Sequence, residues 1–500
     1  MSRSNACTLL LLCAFAVSPV RAQTAPVITL DQPLLLEEAI AQAVRKNFDL
    51  QIQSYTTNQA KETLMIAQAG FDPNLTATAR RNINQAASNI SRLDGAQTEG
   101  PRNDNTTVSV GVNERIATNG TVALSANITR GATNSTNALL NPTFGNGISA
   151  SISQPLLRDA GKVAARSAID RAKLGVGIAF INYKSQVLTL ISQTENAYYN
   201  LVAARETLRI RQLSLQLAQR LYDENQARRT TGVMTDLDVL SAEVGVANSR
   251  RGVIQAEQSV RDAEDTLLNL INVASFDSRP GPVQFNAYTD GAPAFAASYK
   301  LARDYYPPSL SATETLKQLQ IDLETARRNR LPSLNLDASL GYTAKAVNSG
   351  YADVISNLPN EHGNNWSLGL NYSMPWGHRA DKARYRQAMM NVESQKLRID
   401  QLEQQLMVSV RTSVRSVETN LAAVEIASKA TVLSEKQYEQ QKARFDAGLS
   451  TSRAVLQAQD DLENTRFQEL SAKVTLRRAA VELRRLEGTS IQRYGVQLPH

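Results

Sequence analysis

The chain has 500 residues, 42% of them apolar and 20% charged, enough for a large folded body and unlike a disordered chain. Aromatic residues make up 5%, and histidine appears three times, at His362, His378 and His500, which argues against a histidine-built metal site. The net charge of +7 comes from basic residues interspersed with acids, the pattern of solvated helix faces rather than of a nucleic-acid footprint.

The first segment reads as a secretory signal peptide over 1–22. Arg3 supplies the positive start, Thr8 to Val17 is an apolar run, and Pro19-Val20-Arg21-Ala22 offers small residues for cleavage before Gln23. The run is too short to span a bilayer permanently. A lipoprotein reading would use Cys13, but Leu12 stands where a small residue is expected. Cleavage removes Cys7 and Cys13 and leaves the mature chain with no thiol, disulfide or cysteine metal ligand. Beyond residue 22 no run approaches 18 consecutive apolar residues. Membrane insertion would therefore need a closed barrel, since only helices and barrels satisfy the backbone in lipid.

The rest of the chain repeats itself. Tyr222 to Gly232 lines up without a gap with Tyr438 to Gly448, an offset of 216 that also matches Val239-Leu240 to Val455-Leu456, Ala242 to Ala458 and Arg250 to Arg466. Each half reads helix, strands, very long helix, tight turn, helix. The first occupies 23–275 with its tip turn near 230–236, and the second 309–490 with its tip near 446–452. A Pro/Gly-rich linker at 276–308 divides them, and 491–500 is a tail.

The strand segments alternate with period 2. Trp366, Leu368, Leu370, Tyr372, Met374 and Trp376 point one way, and Ser367, Gly369, Asn371 and Ser373 the other. Leu334 to Tyr342 alternates likewise, as do Leu75–Ala79, Val108–Val112, Val122–Ile128 and Ile148–Ile152. An apolar exterior over a wet lumen has this pattern, with Trp366, Tyr372 and Trp376 as an aromatic girdle. The alternative is a soluble sandwich strand whose two tryptophans are core or chance; the similar alternation in the first half weighs against it.

Between Pro155 and Gly232, and again between Pro375 and Gly448, no proline interrupts the helical pattern. Met407, Val410, Val414, Val417, Leu421 and Val424 form a heptad seam, and Leu201, Leu208, Leu215 and Tyr222 recur every seven. Gly232 and Gly448 break the helices. Thr235 or Asp236 can cap the returning helix in the first half, and a hydroxyl of Ser450, Thr451 or Ser452 in the second. Two antiparallel hairpins result, with tips far from the strands.

In these residues the chain resembles the TolC-like outer-membrane efflux protein family. The likeness rests on the duplicated unit, the opening Leu34 to Asn47, and the Gly-x6-Val-Leu tips at Gly232 and Gly448. It covers about 30–490. The resemblance implies a mixed α/β membrane protein: a homotrimer whose subunits each give about four strands to one barrel, continuous with an antiparallel coiled-coil tunnel in the periplasm. It implies an exit duct for a tripartite efflux or type I secretion system. A periplasmic adaptor and an inner-membrane pump would dock at tips that include Thr231, Gly232, Asp236, Asp238, Phe445, Gly448, Leu449 and Ser450. No enzyme, cofactor, metal or nucleic acid is implied.

Three departures stand out. Pro73 to Pro155 is nearly twice as long as Pro332 to Pro375, and the excess holds two alternating runs, about 106–130, around Ile116 to Gly120. The family's aspartate after the tip glycine is Asp238 in the first hairpin but Ala454 in the second. The tyrosine and arginine that latch the family's entrance fall on Phe445 and Ser450. Three copies of Asp238 would make a negative ring, while the same residue alone would simply favour a helix N-terminus. The competing reading of the whole chain is a periplasmic or surface coiled coil without a pore.

Overall fold

The computed structural model describes residues 33–87, 90–91, 95–96, 100–135, 138, 141–273, 279–347 and 363–498. The expected signal peptide with both cysteines, and His362 and His500, lie outside the described residues.

The two halves run through the same order of elements with matching lengths. α1 (Leu36–Lys46) and α5 (Phe295–Tyr305) have 11 residues each, and α2 (Phe48–Ala69) and α6 (Pro307–Arg328) have 22. After the strands come α3 (Gly161–Thr230) and α7 (Arg379–Asp446), with 70 and 68 residues. The returning helices α4 (Asp236–Leu270) and α8 (Ser452–Glu487) have 35 and 36. A short α9 (Ser490–Arg493) closes the chain. α5 lies inside the stretch 276–308. Pro307-Pro308 occupy the first turn of α6, where proline costs nothing because those N–H groups have no intrahelical partner.

One sheet holds β1 (Asn74–Gln85), β4 (Arg102–Arg115), β5 (Thr121–Thr133), β6 (Thr143–Pro155), β7 (Ser333–Val347) and β8 (Gly363–Ser373), all antiparallel and in that order. A separate ladder pairs β2 (Ile90–Ser91) with β3 (Gly95–Ala96). The sheet therefore has six strands where the resemblance implied about four. The two additional runs, 102–115 and 121–133, are hydrogen-bonded between β1 and β6. Sequence shows alternation but not pairing, because partners lie far apart along the chain.

The core sits where the helices are thickest. Ile40, Val187, Ile191, Tyr198, Leu201, Leu267 and Val481 are buried together, and Tyr198 Oη donates to Leu34 O at 3.0 Å while accepting from Gln284 N at 3.1 Å. Beside it, Leu406, Val410, Val414 and Val417 pack on Leu476, Leu483 and Leu486. The α7 seam starts at Leu406; Met407, its expected first member, is 37% exposed. Near the tip the buried stripe of α3 is Ser214, Ala218, Leu221 and Asn225, while the expected Leu215 and Tyr222 are half-buried. α3 carries an 18-residue window of mean hydropathy 1.3, but its 70 residues reach far past any bilayer.

Candidate functional site

The pairing register turns six separate alternations into one surface. Leu75, Val112, Leu124, Ala150, Leu340 and Trp366 are successive cross-strand partners in a single row. The next row is Ala77, Val110, Ala126, Ile148, Tyr342 and Asn364. Below lie Val122, Ile152, Ala338 and Leu368, and above lie Ala79, Val108 and Ile128. In one subunit these side chains face solvent: Leu75 is 70% exposed, Trp366 75% and Leu370 65%. An apolar face of this extent on a soluble monomer is abnormal.

The opposite face is small and polar. Thr76, Gly111, Ser125, Ser149, Gly341 and Asn365 form one of its rows. Hydroxyls bond across strands at Thr78–Ser109 (2.6 Å), Ser125–Ser149 (2.8 Å) and Ser339–Ser367 (2.8 Å). Gly111, Gly131, Gly145, Gly147, Gly341, Gly363 and Gly369 all fall on this face by register. The side-chain amide of Asn127 covers Gly147, and a larger residue there would have to displace it.

The apolar stretch also slips along the rows. It is centred on Val110 in β4 and on Leu368–Leu370 in β8, whereas the row through Val110 reaches β8 at Asn364. Relative to β1 the slip is about five residues over five strand-to-strand steps. With a rise of about 3.3 Å and a spacing of about 4.8 Å, the strands tilt by about 35° to a level band. Closed barrels use this range of tilt. Trp366 ends the apolar run of β8 at one side, Tyr372 lies near the other, and Trp376, 99% exposed, lies just past the strand.

At the other end of the molecule the hairpins turn. α3 stops at Thr230, Gly232 takes φ 78° and α4 opens at Asp236. Thr235 is the cap. Its hydroxyl accepts from Asp238 N at 3.3 Å, and Asp238 Oδ2 accepts from Thr235 N at 3.1 Å. This is a capping box, so the Asp238 carboxylate is held against its own helix end. Asp236 pairs with Arg229 at 2.5 Å. Thr231 donates to Arg228 O at 2.9 Å. In the second hairpin Gly448 has φ 75°, and Thr451 accepts from Ala454 N at 3.3 Å. Alanine there offers nothing in return. Ser450 Oγ accepts from Gln441 at 2.8 Å, and Leu449 is 72% exposed.

Phe445 is the one expected tip residue that is fully buried, against Leu221 and Val455. Arg228, from the other hairpin, lies 4.5 Å over its ring and donates to Phe445 O at 3.2 Å. The same guanidinium bonds Glu224 at 2.6 Å and lies 3.5 Å from Asp446, and Lys442 reaches Glu224 at 3.4 Å. Asn225 donates to Ser452 Oγ at 2.7 Å and to Asp238 O at 3.3 Å. Arg228, Glu224, Lys442 and Asn225 were not singled out from sequence. The Glu224–Arg228 spacing of four is visible there, but the contact with Phe445 crosses 217 residues.

The architecture is thus a tilted strand sheet with one apolar and one polar face, continuous with a body of helical hairpins about 100 Å long. The chain matches the profile of the outer membrane efflux protein family over residues 114–273 and 298–489. That is more than half of its length, and the chain belongs to this outer-membrane family. It is 22% identical over 303 residues to the outer membrane protein TolC of Salmonella enteritidis, covering 60% of this chain and 61% of that protein. It is 26% identical over 337 residues to the pyoverdine export outer membrane protein OpmQ of Pseudomonas putida, covering 63% and 66%. The chain thus spans less than two thirds of these curated relatives. Among solved structures it resembles the outer-membrane channel OprN (TM-score 0.69, 17% identity, 91% of this chain and 89% of that one). It also resembles CmeC of Campylobacter jejuni (TM-score 0.66, 18% identity, 91% and 86%).

Proposed function

We propose that this chain is the outer-membrane exit duct of a tripartite efflux or type I secretion system, working as a homotrimer with its helices in the periplasm. The single observation that carries this is the continuous apolar face across all six strands, which only lipid or a partner could cover. The chain's accessible surface of 31939 Å² supports assembly. A compact globule of this mass would show about 18,000 Å². Among the described residues β1 and β8 are the edges of the sheet and run antiparallel to each other, so β8 of one subunit can pair with β1 of the next. Three copies would close a barrel of 18 strands.

The tips supply the gate and the dock. Arg228 ties the two hairpins through Phe445 and Asp446, and Lys442 ties them through Glu224, where the family's tyrosine and arginine positions hold Phe445 and Ser450. Opening would part α3 from α7 and break those bonds. Exposed Val233, Leu237 and Leu449 around the turns offer an apolar surface to a periplasmic adaptor, with a pump beyond it. The lumen face is mostly small and polar, with Arg80, Arg115 and Asp337 as charges on it.

Single-channel recording in a planar bilayer tests the duct. Discrete conductance steps are expected. Protein that washes off membranes in carbonate and gives no current would return the chain to the poreless coiled-coil reading.

A further inference from the structure

The outward face of the sheet carries charge at both boundaries of its apolar band, and the two boundaries differ. On the helix side Glu114 follows Val112 on β4. On the far side Arg81 follows Ala79 on β1, and Arg130 follows Ile128 on β5. Thr106 of β4 pairs with both, so the two arginines flank it in one row, on strands about 10 Å apart. Asp104 and Arg102 continue the same face of β4 outward. Phe144 is the next partner of Arg130 in that row.

We propose that this cluster binds phosphate-bearing lipid headgroups in the leaflet farther from the helices. The proposal rests on the barrel reading above. Three arginines stand against one aspartate, a net charge of +2 per subunit. Asp104 accepts from Arg81 Nε at 2.9 Å and Nη2 at 2.5 Å, while its charge acts on Arg130 and Arg102 only at longer range. No hydrogen bond or ion pair among the described residues engages the guanidinium of Arg102 or Arg130. Arginine on a lipid-facing strand costs about 2–4 kcal/mol at the bilayer midplane but about 0–1 near the interface. Arg81 and Arg130 sit directly above the last apolar row, at headgroup depth, and Arg102 lies four residues, about 13 Å, farther out on β4. The planar guanidinium matches phosphate oxygens two at a time. A lipid with two phosphates can thus meet Arg102 and Arg130 while Arg81 stays braced by Asp104. The additional β4–β5 hairpin contributes two of the three arginines, so the site exists because the hairpin was inserted.

The test titrates delipidated, detergent-purified full-length protein with three probes and counts bound molecules by native mass spectrometry. The probes are a bisphosphorylated glycolipid, phosphatidylcholine and inorganic phosphate. The glycolipid should be retained at least about tenfold better than phosphatidylcholine. Arg102→Gln with Arg130→Gln should abolish that preference, and Arg102→Lys with Arg130→Lys should keep most of it. An unchanged preference in the glutamine variant would overturn the proposal. So would inorganic phosphate displacing the glycolipid, which would make the cluster a free-anion site. Should the glutamine variant not assemble, the unaltered protein decides in about 1 M salt, where screening shortens to about 3 Å. Retention that ignores salt rejects the arginines. Carbonate extraction runs alongside: loss of insertion sinks the barrel, while inserted protein without lipid preference sinks this inference alone.

Discussion

Arg228 spans the two hairpins with one side chain, and its contacts are of unequal worth. The ring contact with Phe445 is partly desolvated, in the range of about 0.5–2 kcal/mol. The exposed pair with Asp446 at 3.5 Å adds little. Replacing Arg228 by alanine should therefore loosen the tip without disturbing assembly. Larger or longer single-channel openings are expected, with the trimer unchanged on native gels; identical gating would remove Arg228 from the latch. The second residue of consequence is Glu195, fully buried, whose Oε2 accepts from Arg484 at 2.6 Å. Burial pushes its carboxyl up, against the pull of Arg484. Glu195→Gln would leave the buried guanidinium of Arg484 with only Asp290, at 3.6 Å, as a charged partner, at a cost of up to about 3–5 kcal/mol. Thermal unfolding should show that loss, and Glu195→Leu with Arg484→Met should recover much of it. Neither pair could be found by pattern, because each joins residues more than 200 positions apart. Phe445 could be placed at the tip from its repeat position, but not its partner.

Among the elements, the two tips differ by one carboxylate. Asp238 closes a capping box in the first hairpin, and Ala454 leaves the second with a one-way cap. A lost cap costs about 0.5–2 kcal/mol. Ala454→Asp should restore the reciprocal bond to Thr451 and slow amide exchange across 450–456 several-fold. Asp238→Ala should speed exchange across 234–240 by a similar factor. If Asp238→Ala instead left exchange alone and changed cation preference, its charge rather than its cap would matter. Most element boundaries were legible: the glycine breaks, the long proline-free helices and the strand alternation all carry local signals. The seams were less so. Buried positions settle on Leu406 rather than Met407, and on Leu221 rather than Tyr222. A strict seven-residue spacing drifts by about 20° per heptad on a straight helix, so reading it along 70 residues picks the neighbour of the true core position.

For the whole molecule, the strand count follows from fitting two rings together. Outside the thick middle, each subunit presents four helices: α2, α3, α6 and α7 near the sheet, and α3, α4, α7 and α8 toward the tips. In the proposed trimer, twelve helices packed about 9 Å apart would make a ring of about 108 Å circumference. Eighteen strands about 4.8 Å apart and tilted by about 35° need about 105 Å, whereas twelve need about 70 Å. Six strands per subunit thus meet the helical ring without a taper, which four would not at this tilt. Sequence could not reveal this, because circumference is a property of the closed assembly. Joining Gln85 to Thr143 deletes β4 and β5 yet preserves strand direction, since β1 and β6 already run oppositely. The shortened chain should still form trimers, with a barrel narrower by about one third because diameter scales with strand number. Polymer exclusion measured from the face away from the helices should register that narrowing, while conductance limited by the tips should change much less. An unchanged exclusion size would mean that β4 and β5 pair with the sheet but do not line the pore.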